Sequence, residues 1–319
     1  MKKPVLLFPG QGSQEVGMGA DIVAHSPAAA ATFEQADAIL GFPLSRLCFE
    51  GPEDELTDTI NVQPALLTTS IATLRAVEEL LGRPIDAAAA AGHSLGEYSA
   101  LVAAGTLSFE DGLRLVRERG RLMKLAGERA PGGMAAIIAL ETEKIEAICQ
   151  QASREEDGIV VIANDNCPGQ VVISGDEGPL NRAMALAQEA GARKVVRLAV
   201  SIAAHSPLMG SVQEAFATAV AQANLHPPAF PVIANITAQP LTDVEAIRQE
   251  LIGQLQNSVQ WTRSMQYLID QGHTLFIEFG PGKVLAGLMK RIDRRFRKMP
   301  TVATWEDVQR VAAQLRESL

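Results

Sequence analysis

A serine between two glycines is the first feature of this chain that could do chemistry, because residues 92–96 read GHSLG. The G-x-S-x-G pattern is typical of a nucleophile elbow, in which a serine on a strained strand-to-helix turn projects its hydroxyl from the edge of a sheet. A side chain at Gly92 or Gly96 would obstruct the close approach of strand and helix. Because a pattern with so few fixed positions also recurs by chance, Ser94 becomes a candidate nucleophile only if the chain supplies a base.

Histidine is the usual base for a serine nucleophile, and several are present. They are His25, His93, His205, His226 and His273. His93 directly precedes the serine, and its side chain is expected to point away from the hydroxyl. His205 enters a loop ahead of a predicted helix, whereas the remaining three lie in loops or at helix edges. The sequence therefore favours His205 as the general base.

The segments around the serine alternate between strand and helix patterns, which is the order of an α/β protein. Val5–Phe8 predicts a buried strand, residues 87–91 predict a second strand in spite of five consecutive alanines, and residues 95–104 predict a helix. A glycine-bearing loop at residues 9–14 follows the first strand. This loop is compatible with a simple turn, a phosphate cradle or an oxyanion-hole donor, although it lacks the G-x-G-x-x-G spacing and the lysine of a P-loop.

A helix that is predicted to begin after Ser108, with the capping signature S-x-x-D, carries a group of arginines. They are Arg114, Arg117, Arg119 and Arg121. Such charges usually lie on a solvated helix face. An arginine that instead faces a pocket would bind a carboxylate through two parallel hydrogen bonds, because the planar guanidinium matches carboxylate geometry.

The middle of the chain predicts a separate folding unit. Residues 130–200 read as strand, helix, strand, strand, helix, strand, which is the ferredoxin-like order. The flanking segments, residues 1–129 and 201–319, are predicted to form one α/β-hydrolase-like catalytic domain with a parallel central sheet. Residues 283–298 predict a basic helix, and the tail beyond them is expected to be a surface helix.

Composition limits the classes of function. The formal net charge of −9 argues against nucleic-acid binding. No apolar stretch approaches the roughly 20 residues that a membrane span requires. Cys48, Cys149 and Cys167 have no metal-ligand spacing and are expected to be free thiols of a reducing compartment. We therefore expect a soluble, cytoplasmic protein without a metal site.

Motifs spread along the chain resemble those of the malonyl-CoA:acyl-carrier-protein transacylases, over residues 4 to about 295. They are residues 8–14 (FPGQGSQ), 59–66 (TINVQPAL), 92–98 (GHSLGEY), 119–123 (RGRLM), 164–175 (NDNCPGQVVISG), 205–209 (HSPLM), 254–261 (QLQNSVQW) and 278–282 (EFGPG). A set in this order does not arise by chance. On these motifs the chain is identified as similar to members of that family.

The resemblance implies a role for each motif residue. Ser94 would be the nucleophile and His205 its general base, oriented by a backbone carbonyl near Gln254 and not by an aspartate. Arg119 would bind the free carboxylate of a malonyl group. The other implied site residues are the oxyanion-hole N–H groups of Gln11 and Leu95 and the pocket-lining side chains of Gln63, Gln254 and Asn166.

The reaction implied by the resemblance has two halves and passes through one site. Ser94 attacks the thioester of malonyl-CoA and releases CoA. The phosphopantetheine thiol of acyl carrier protein then attacks the malonyl-serine ester. Neither half requires a metal or a redox cofactor, and the product would supply fatty acid synthesis. The expected partners are malonyl-CoA and acyl carrier protein, with neither nucleic acid nor membrane.

Other functions of the same fold stay open from the sequence. A malonyl loader for polyketide synthesis or malonate decarboxylation would use the same residues. A hydrolase of carrier-bound acyl groups would have less use for Arg119, and a non-catalytic binding module would not need Ser94 and His205. The small side chain of Ala204 suggests tolerance of methylmalonyl-CoA, and the basic residues 283–298 could steer an acidic carrier protein.

Overall fold

The computed structural model of the protein describes residues 3–317, so the predicted domain limits at Met1 and Leu319 lie outside the described residues. The strands are β1 (Val5–Phe8), β2 (Ala89–Gly92), β3 (Gly132–Ile138), β4 (Val160–Cys167), β5 (Gln170–Asp176), β6 (Lys194–Arg197), β7 (Val232–Ile233), β8 (Pro240–Leu241), β9 (Phe276–Phe279) and β10 (Thr301–Val302). The α-helices are α1 (Ala20–Val23), α2 (Pro27–Leu40), α3 (Leu44–Glu50), α4 (Glu53–Thr57), α5 (Thr59–Leu81), α6 (Gly96–Ala103), α7 (Phe109–Arg129), α8 (Thr142–Glu155), α9 (Glu177–Glu189), α10 (Gln213–Gln222), α11 (Val244–Gly253), α12 (Trp261–Asp270), α13 (Val284–Ile292) and α14 (Trp305–Glu317). Short 3-10 helices occupy Pro207–Val212, Gln254–Gln256 and Arg294–Phe296.

Within residues 3–317 the first sheet has six strands, in the order β10-β9-β1-β2-β7-β8. Its neighbouring strands are parallel except for β7 and β8, which pair antiparallel at one edge. A parallel sheet is covered by helices on both faces, and its strands are therefore apolar throughout. The central strand β1 fits this rule, because all of its residues are buried. The predicted α/β class and the parallel central sheet are confirmed.

In strand β2, tertiary packing outweighs the helix propensity of the alanines. Alanine favours helix, yet residues 89–92 pair with β1 on one side, and Ala90 and Ala91 pair with β7 on the other. Ala90 faces one hydrophobic core, whereas Ala89 and Ala91 face the core on the opposite side of the sheet. Small side chains let helices approach both faces closely. The predicted strand is present, shifted toward the serine.

The second sheet has four antiparallel strands within the described residues, in the order β4-β5-β3-β6. The predicted sequence of strands and helices over residues 130–200 is confirmed. Helices α8 and α9 pack on one face of this sheet around a core of their own. The opposite face contributes Met134 and Val172 to the main hydrophobic core. This arrangement places the end of β4 across from the turn that carries Ser94.

The C-terminal segment differs from its prediction. Helix α13 ends at Ile292, so the expected basic helix over residues 283–298 is divided into α13 and a 3-10 turn. The tail contains the expected helix, α14, whose outer face is exposed, and in addition a strand that was not predicted. Strand β10 pairs with β9 at the edge of the first sheet, and α14 buries Val308, Val311 and Leu315. An apolar residue every third or fourth position gives α14 a face that packs on the core.

The remaining predictions from composition concern membranes and thiols. In residues 3–317 no helix combines the length and the apolar character needed to cross a membrane. Cys48, Cys149 and Cys167 are free and buried. Burial raises the pKa of Cys48 and of Cys149 to about 12, so both stay protonated and unreactive at neutral pH.

Candidate active site

Ser94 lies on a tight turn between β2 and α6. Its backbone has a φ of 51°, a left-handed conformation that is strained for a residue with a side chain. A Cβ atom on Gly92 would lie 1.9 Å from the carbonyl carbon of Gly96. A Cβ atom on Gly96 would lie 2.1 Å from the carbonyl oxygen of Phe8. Both glycines are therefore required by the close approach of β1, β2 and α6, which is the geometry that the G-x-S-x-G pattern predicts.

We expect Gly92→Ala to lower the free energy of unfolding by more than about 3 kcal/mol, because the new methyl group would overlap backbone atoms that cannot move aside. The matched control is Gly287→Ala, since a Cβ atom at that helical position meets nothing within 4 Å. The control should be neutral or stabilise by up to about 1 kcal/mol. Urea denaturation of both variants measures the difference, and equal stabilities would contradict this account of the turn.

His205 is in contact with the serine hydroxyl. Its Nε2 lies 2.8 Å from Ser94 Oγ, and its Nδ1 lies 2.9 Å from the carbonyl oxygen of Gln254 and 3.1 Å from that of Asn257. Carbonyl oxygens only accept hydrogen bonds, so Nδ1 carries the proton and Nε2 is left to accept from the serine. Backbone carbonyls thus hold the imidazole in the tautomer of a general base, and no carboxylate among residues 3–317 contacts it.

Arg119 is the one arginine of its predicted group that turns toward the serine. Arg114 and Arg121 lie on the exposed face of α7 and pair with glutamates there, whereas Arg119 is 1% exposed. Its Nη2 lies 3.1 Å from Ser94 Oγ. The guanidinium contacts amide, hydroxyl and thioether groups, and its Nε has no hydrogen-bond partner within residues 3–317. A buried cation without a contacting carboxylate is costly in itself, and an anion at the serine would offset that cost.

The loop at residues 9–14 lies directly against the serine turn. A Cβ atom on Gly10 would come within 2.4 Å of the carbonyl oxygen of His93. Gln11 and Leu95 both line the cavity at the serine, and Leu95 precedes the first turn of α6. Their backbone N–H groups have no intramolecular acceptor in the described part of the chain. Two free N–H groups beside a nucleophile can stabilise a negatively charged oxygen.

These groups open into a cavity of about 440 Å³ between the two sheets. A cavity of this size holds a small organic ligand, and a mostly apolar lining with a few polar groups is typical of such sites. The polar lining includes Gln11, Ser94, Arg119, Asn164, Asn166 and His205. Ala204 also lines the cavity, so the expected tolerance of methylmalonyl-CoA concerns a residue at the site and stays a prediction.

Comparisons with known proteins decide the family. Residues 5–312 match the model that is described as the acyl transferase domain. The chain belongs to the acyl transferase family. It is 45% identical over 297 residues to the malonyl CoA-acyl carrier protein transacylase of Bacillus subtilis (strain 168), covering 93% of this chain and 92% of that one. It is 42% identical over 308 residues to the protein of the same name from Staphylococcus aureus (strain MW2), covering 97% and 98%.

Solved structures agree with this assignment. The malonyl CoA-acyl carrier protein transacylase of Coxiella burnetii superposes on this acyltransferase with a TM-score of 0.94 at 39% identity, covering 99% of this chain and 98% of that one. A malonyl-transacylase solved in complex with its type II PKS acyl-carrier protein has a TM-score of 0.93 at 38% identity, covering 98% and 99%. The resemblance found in the sequence motifs is therefore confirmed.

Two glutamines of the acyltransferase differ in position from their prediction. Gln63 and Gln254 are fully buried and do not line the cavity. Instead, Gln63 Oε1 accepts a hydrogen bond of 2.9 Å from Arg119 Nη1, and Gln254 Oε1 accepts one of 3.0 Å from Nη2. These two hydrogen bonds fix the plane of the guanidinium. Asn166 does line the cavity, as predicted, and its Oδ1 lies 2.7 Å from His93 Nε2, consistent with a structural role for that histidine.

Sequence reasoning missed two polar residues behind the serine. Asn235 Oδ1 accepts a hydrogen bond of 2.7 Å from the backbone N–H of Ser94. Glu97 accepts one of 2.9 Å from the backbone N–H of Asn235. A signal for each was present in the sequence. Asn235 follows a strand that is parallel to β2, so both strands end at the same sheet edge, and Glu97 is an acidic residue within an apolar helix.

The pH dependence of the acyltransferase should reflect the burial of its histidine. Burial, followed by the positive charge of Arg119, lowers the pKa of His205 to about 3. A general base works in its neutral form, so lowering the pH to 5.5 should change the rate of serine acylation by less than about twofold. If His205 had the ordinary histidine pKa of about 6.5, the rate of acylation would fall about tenfold between neutral pH and pH 5.5.

Quenched-flow acylation between pH 5 and 8 measures this profile, with circular dichroism as the check on folding. An acid limb near pH 6.5 in the unmodified enzyme would contradict a buried, neutral His205.

Proposed function

We propose that the protein transfers a malonyl group from malonyl-CoA to the phosphopantetheine thiol of acyl carrier protein, in the supply of fatty acid synthesis. The observation that carries the proposal is the guanidinium of Arg119, which is buried and lies 3.1 Å from Ser94 Oγ. In a malonyl group a single methylene separates the carboxylate from the thioester carbonyl. A malonyl group at Ser94 would therefore present its carboxylate to Arg119, which binds it through charge-assisted hydrogen bonds.

The first half-reaction forms the malonyl-serine ester. His205 Nε2 takes the proton from Ser94 Oγ as the oxygen attacks the thioester carbonyl. The oxygen of the tetrahedral intermediate is stabilised by the backbone N–H groups of Gln11 and Leu95. Collapse of the intermediate breaks the carbon–sulfur bond, and His205 returns its proton to the departing CoA thiolate.

The second half-reaction runs the same steps on the carrier. His205 takes the proton of the phosphopantetheine thiol, and the sulfur attacks the ester carbonyl of the malonyl-serine. Collapse releases the Ser94 oxygen, which regains a proton from His205, and the malonyl group leaves as a thioester of the carrier. Each step moves a proton between nitrogen, oxygen and sulfur, so the cycle as written needs no metal and no redox cofactor.

We also propose a domain division and a cytoplasmic location for the protein. Residues 1–129 and 201–319 would form the α/β-hydrolase-like catalytic domain, and residues 130–200 the inserted ferredoxin-like unit. The strand order β4-β5-β3-β6 and the position of Ser94 after a central parallel strand support this division. Three buried free cysteines suit a reducing cytoplasm.

A second candidate is the loading of a carrier protein for polyketide synthesis, favoured by the likeness to the malonyl-transacylase solved with its type II PKS acyl-carrier protein. Malonate decarboxylation would use the same loading chemistry, whereas a carrier-thioester hydrolase would pass the malonyl group to water. A chase experiment tests transfer: protein preloaded with malonyl-CoA is passed into buffer with or without acyl carrier protein. Transfer predicts that the carrier removes the adduct at least about 100-fold faster than buffer does, and equal decay in both would establish a hydrolase.

The basic residues near the cavity give a prediction for the carrier step. Lys290 and Arg291 of α13, with Arg294 and Arg297 just beyond that helix, line a second cavity of about 580 Å³. Leu285 and Leu288 of α13 line the first cavity. We expect Lys290→Glu with Arg294→Glu to raise the KM for the carrier about tenfold at low salt, because acidic carriers lose their electrostatic steering. Acylation by malonyl-CoA should change by less than about twofold.

Steady-state transfer at 20 and at about 300 mM salt checks this prediction, since screening should shrink the effect of the substitutions. The matched control reverses two exposed charges outside both cavities, with Arg46→Glu and Lys144→Glu. An equal rise in KM for the control variant would show that net charge, and not this cluster, steers the carrier.

A further inference from the structure

A buried carboxylate lies behind the site and takes no part in the cycle above. Glu97 is fully buried on the first turn of α6, three residues after the nucleophile. Its Oε1 accepts hydrogen bonds of 2.9 Å from the backbone N–H of Asn235 and of 3.1 Å from Asn235 Nδ2. Its Oε2 accepts from the side-chain amide of Gln254. Each of these partners donates, which is the environment of an acceptor-only group.

The contact with Gln254 determines which way that amide faces. Gln254 Nε2 donates to Glu97 and, over 3.0 Å, to the carbonyl oxygen of Ser94. Its Oε1 accepts from Arg119 Nη2. A guanidinium only donates and a carboxylate only accepts, so the two ends of the amide are fixed by opposite requirements. Glu97 and Arg119 are thus joined through one amide group.

The contact with Asn235 reaches the nucleophile. Asn235 Nδ2 donates to Glu97 and, over 2.7 Å, to the carbonyl oxygen of Gly92. Its Oδ1 therefore faces the backbone N–H of Ser94, at 2.7 Å. Asn235 thus binds the backbone that leads into the strained residue Ser94, and the carboxylate of Glu97 determines how the asparagine is oriented.

A second buried carboxyl, Glu250, lies next to Glu97. Burial raises the pKa of Glu250 to about 7, and burial together with the neighbouring carboxyl raises that of Glu97. Donors face both oxygens of Glu97, and the positive charge of Arg119 acts on it, so its contacts favour the ionised form.

We propose that Glu97 is a positioning residue, which orients the side-chain amides of Asn235 and Gln254 and so holds Ser94 and Arg119 in place for a carboxylate-bearing acyl group. The inference rests on the proposed function, since it takes a malonyl group as the ligand of Arg119. A glutamine at this position would direct its own NH₂ group at one of the two donors. The side-chain amide of Asn235 or Gln254 would then rotate to present its oxygen to this NH₂ group. If Gln254 rotates, its Nε2 donor faces the guanidinium of Arg119, which is also a donor, and the hydrogen bond between them is lost.

The test compares two acyl donors on the Glu97→Gln variant. Single-turnover acylation of Ser94 by malonyl-CoA and by acetyl-CoA is followed by intact mass, with thermal unfolding as the check on folding. We expect malonyl acylation to fall about 100-fold and the ratio of malonyl to acetyl rates to fall at least about tenfold. A role in folding alone would lower both rates together, so an unchanged ratio in folded Glu97→Gln would overturn the inference.

Two further variants complete the test. Glu78→Gln is the matched control, because the Oε1 of Glu78 also accepts from a backbone N–H, that of Ile85, and neither residue lines the cavity at the serine. Its rate ratio should stay within about twofold of the unmodified enzyme. If Glu97→Gln does not fold, Glu97→Asp decides, since aspartate keeps the charge but is one methylene shorter and cannot contact both amides as Glu97 does. A ratio that is lower by about tenfold or more supports the inference, and an unchanged ratio contradicts it. A lack of adduct in the unmodified enzyme would instead overturn the proposed function and, with it, this inference.

Discussion

Arg119→Ala is expected to lower the rate of Ser94 acylation by malonyl-CoA about 10³-fold, while acylation by acetyl-CoA stays within about tenfold of the unmodified enzyme. The reason is that the malonyl carboxylate must leave water to reach the cavity, and Arg119 is the cation that lies beside the serine to receive it. An acetyl group carries no charge, so it does not need a cation to offset the loss of hydration. Single-turnover acylation with each donor measures the two rates.

The control for this substitution is Arg121→Ala on the same helix, whose side chain is 52% exposed and pairs with Glu118. That variant should acylate at the unmodified rate with both donors. An Arg119→Ala enzyme that loses both rates equally would show that the guanidinium supports the fold of the site and does not select the acyl group.

His205→Ala is expected to lower turnover by about 10⁴-fold or more, because Ser94 would lose the only base in contact with its hydroxyl among the described residues. The loss should appear in both half-reactions, since the same nitrogen takes the proton of the serine and later that of the carrier thiol. The acylation burst measures the first half-reaction, and the chase of preloaded protein with acyl carrier protein measures the second.

His25→Ala serves as the control, because that histidine lies on the surface, stacked on Trp305, and should leave turnover unchanged. A His205→Ala enzyme that retains more than about a tenth of the activity would contradict the assignment of the base. Retention of the acylation burst alone would show that a different group activates the serine.

The parts of the site that the sequence could predict are those with a local cause. The glycines of the serine turn are dictated by backbone contacts that any G-x-S-x-G elbow makes. The strand before the serine is predictable because a proline and a glycine bracket the five alanines and leave them too short for a stable helix. Arg119 could also have been singled out, because it shares a helix face with the buried residues Leu115 and Met123, four positions away on either side.

The parts that the sequence could not predict depend on contacts between distant segments. Gln254 and Asn235 lie 157 and 138 positions from Glu97, and no periodicity relates them. The resemblance to the transacylases implies that Gln63 and Gln254 line the cavity, whereas in the structure both accept hydrogen bonds from Arg119 and hold it. Hydrophobic patterning gives the faces of helices, but it does not say which polar side chain meets which in a buried network.

The most direct test of the account is the intact mass of the protein after brief incubation with malonyl-CoA. We expect a single malonyl adduct on the unmodified protein, no adduct on Ser94→Ala, and loss of the adduct when acyl carrier protein is added. An adduct that persists in Ser94→Ala would contradict the assignment of the nucleophile. A protein that gains an adduct from other acyl-CoA donors, and none from malonyl-CoA, would contradict the role of Arg119.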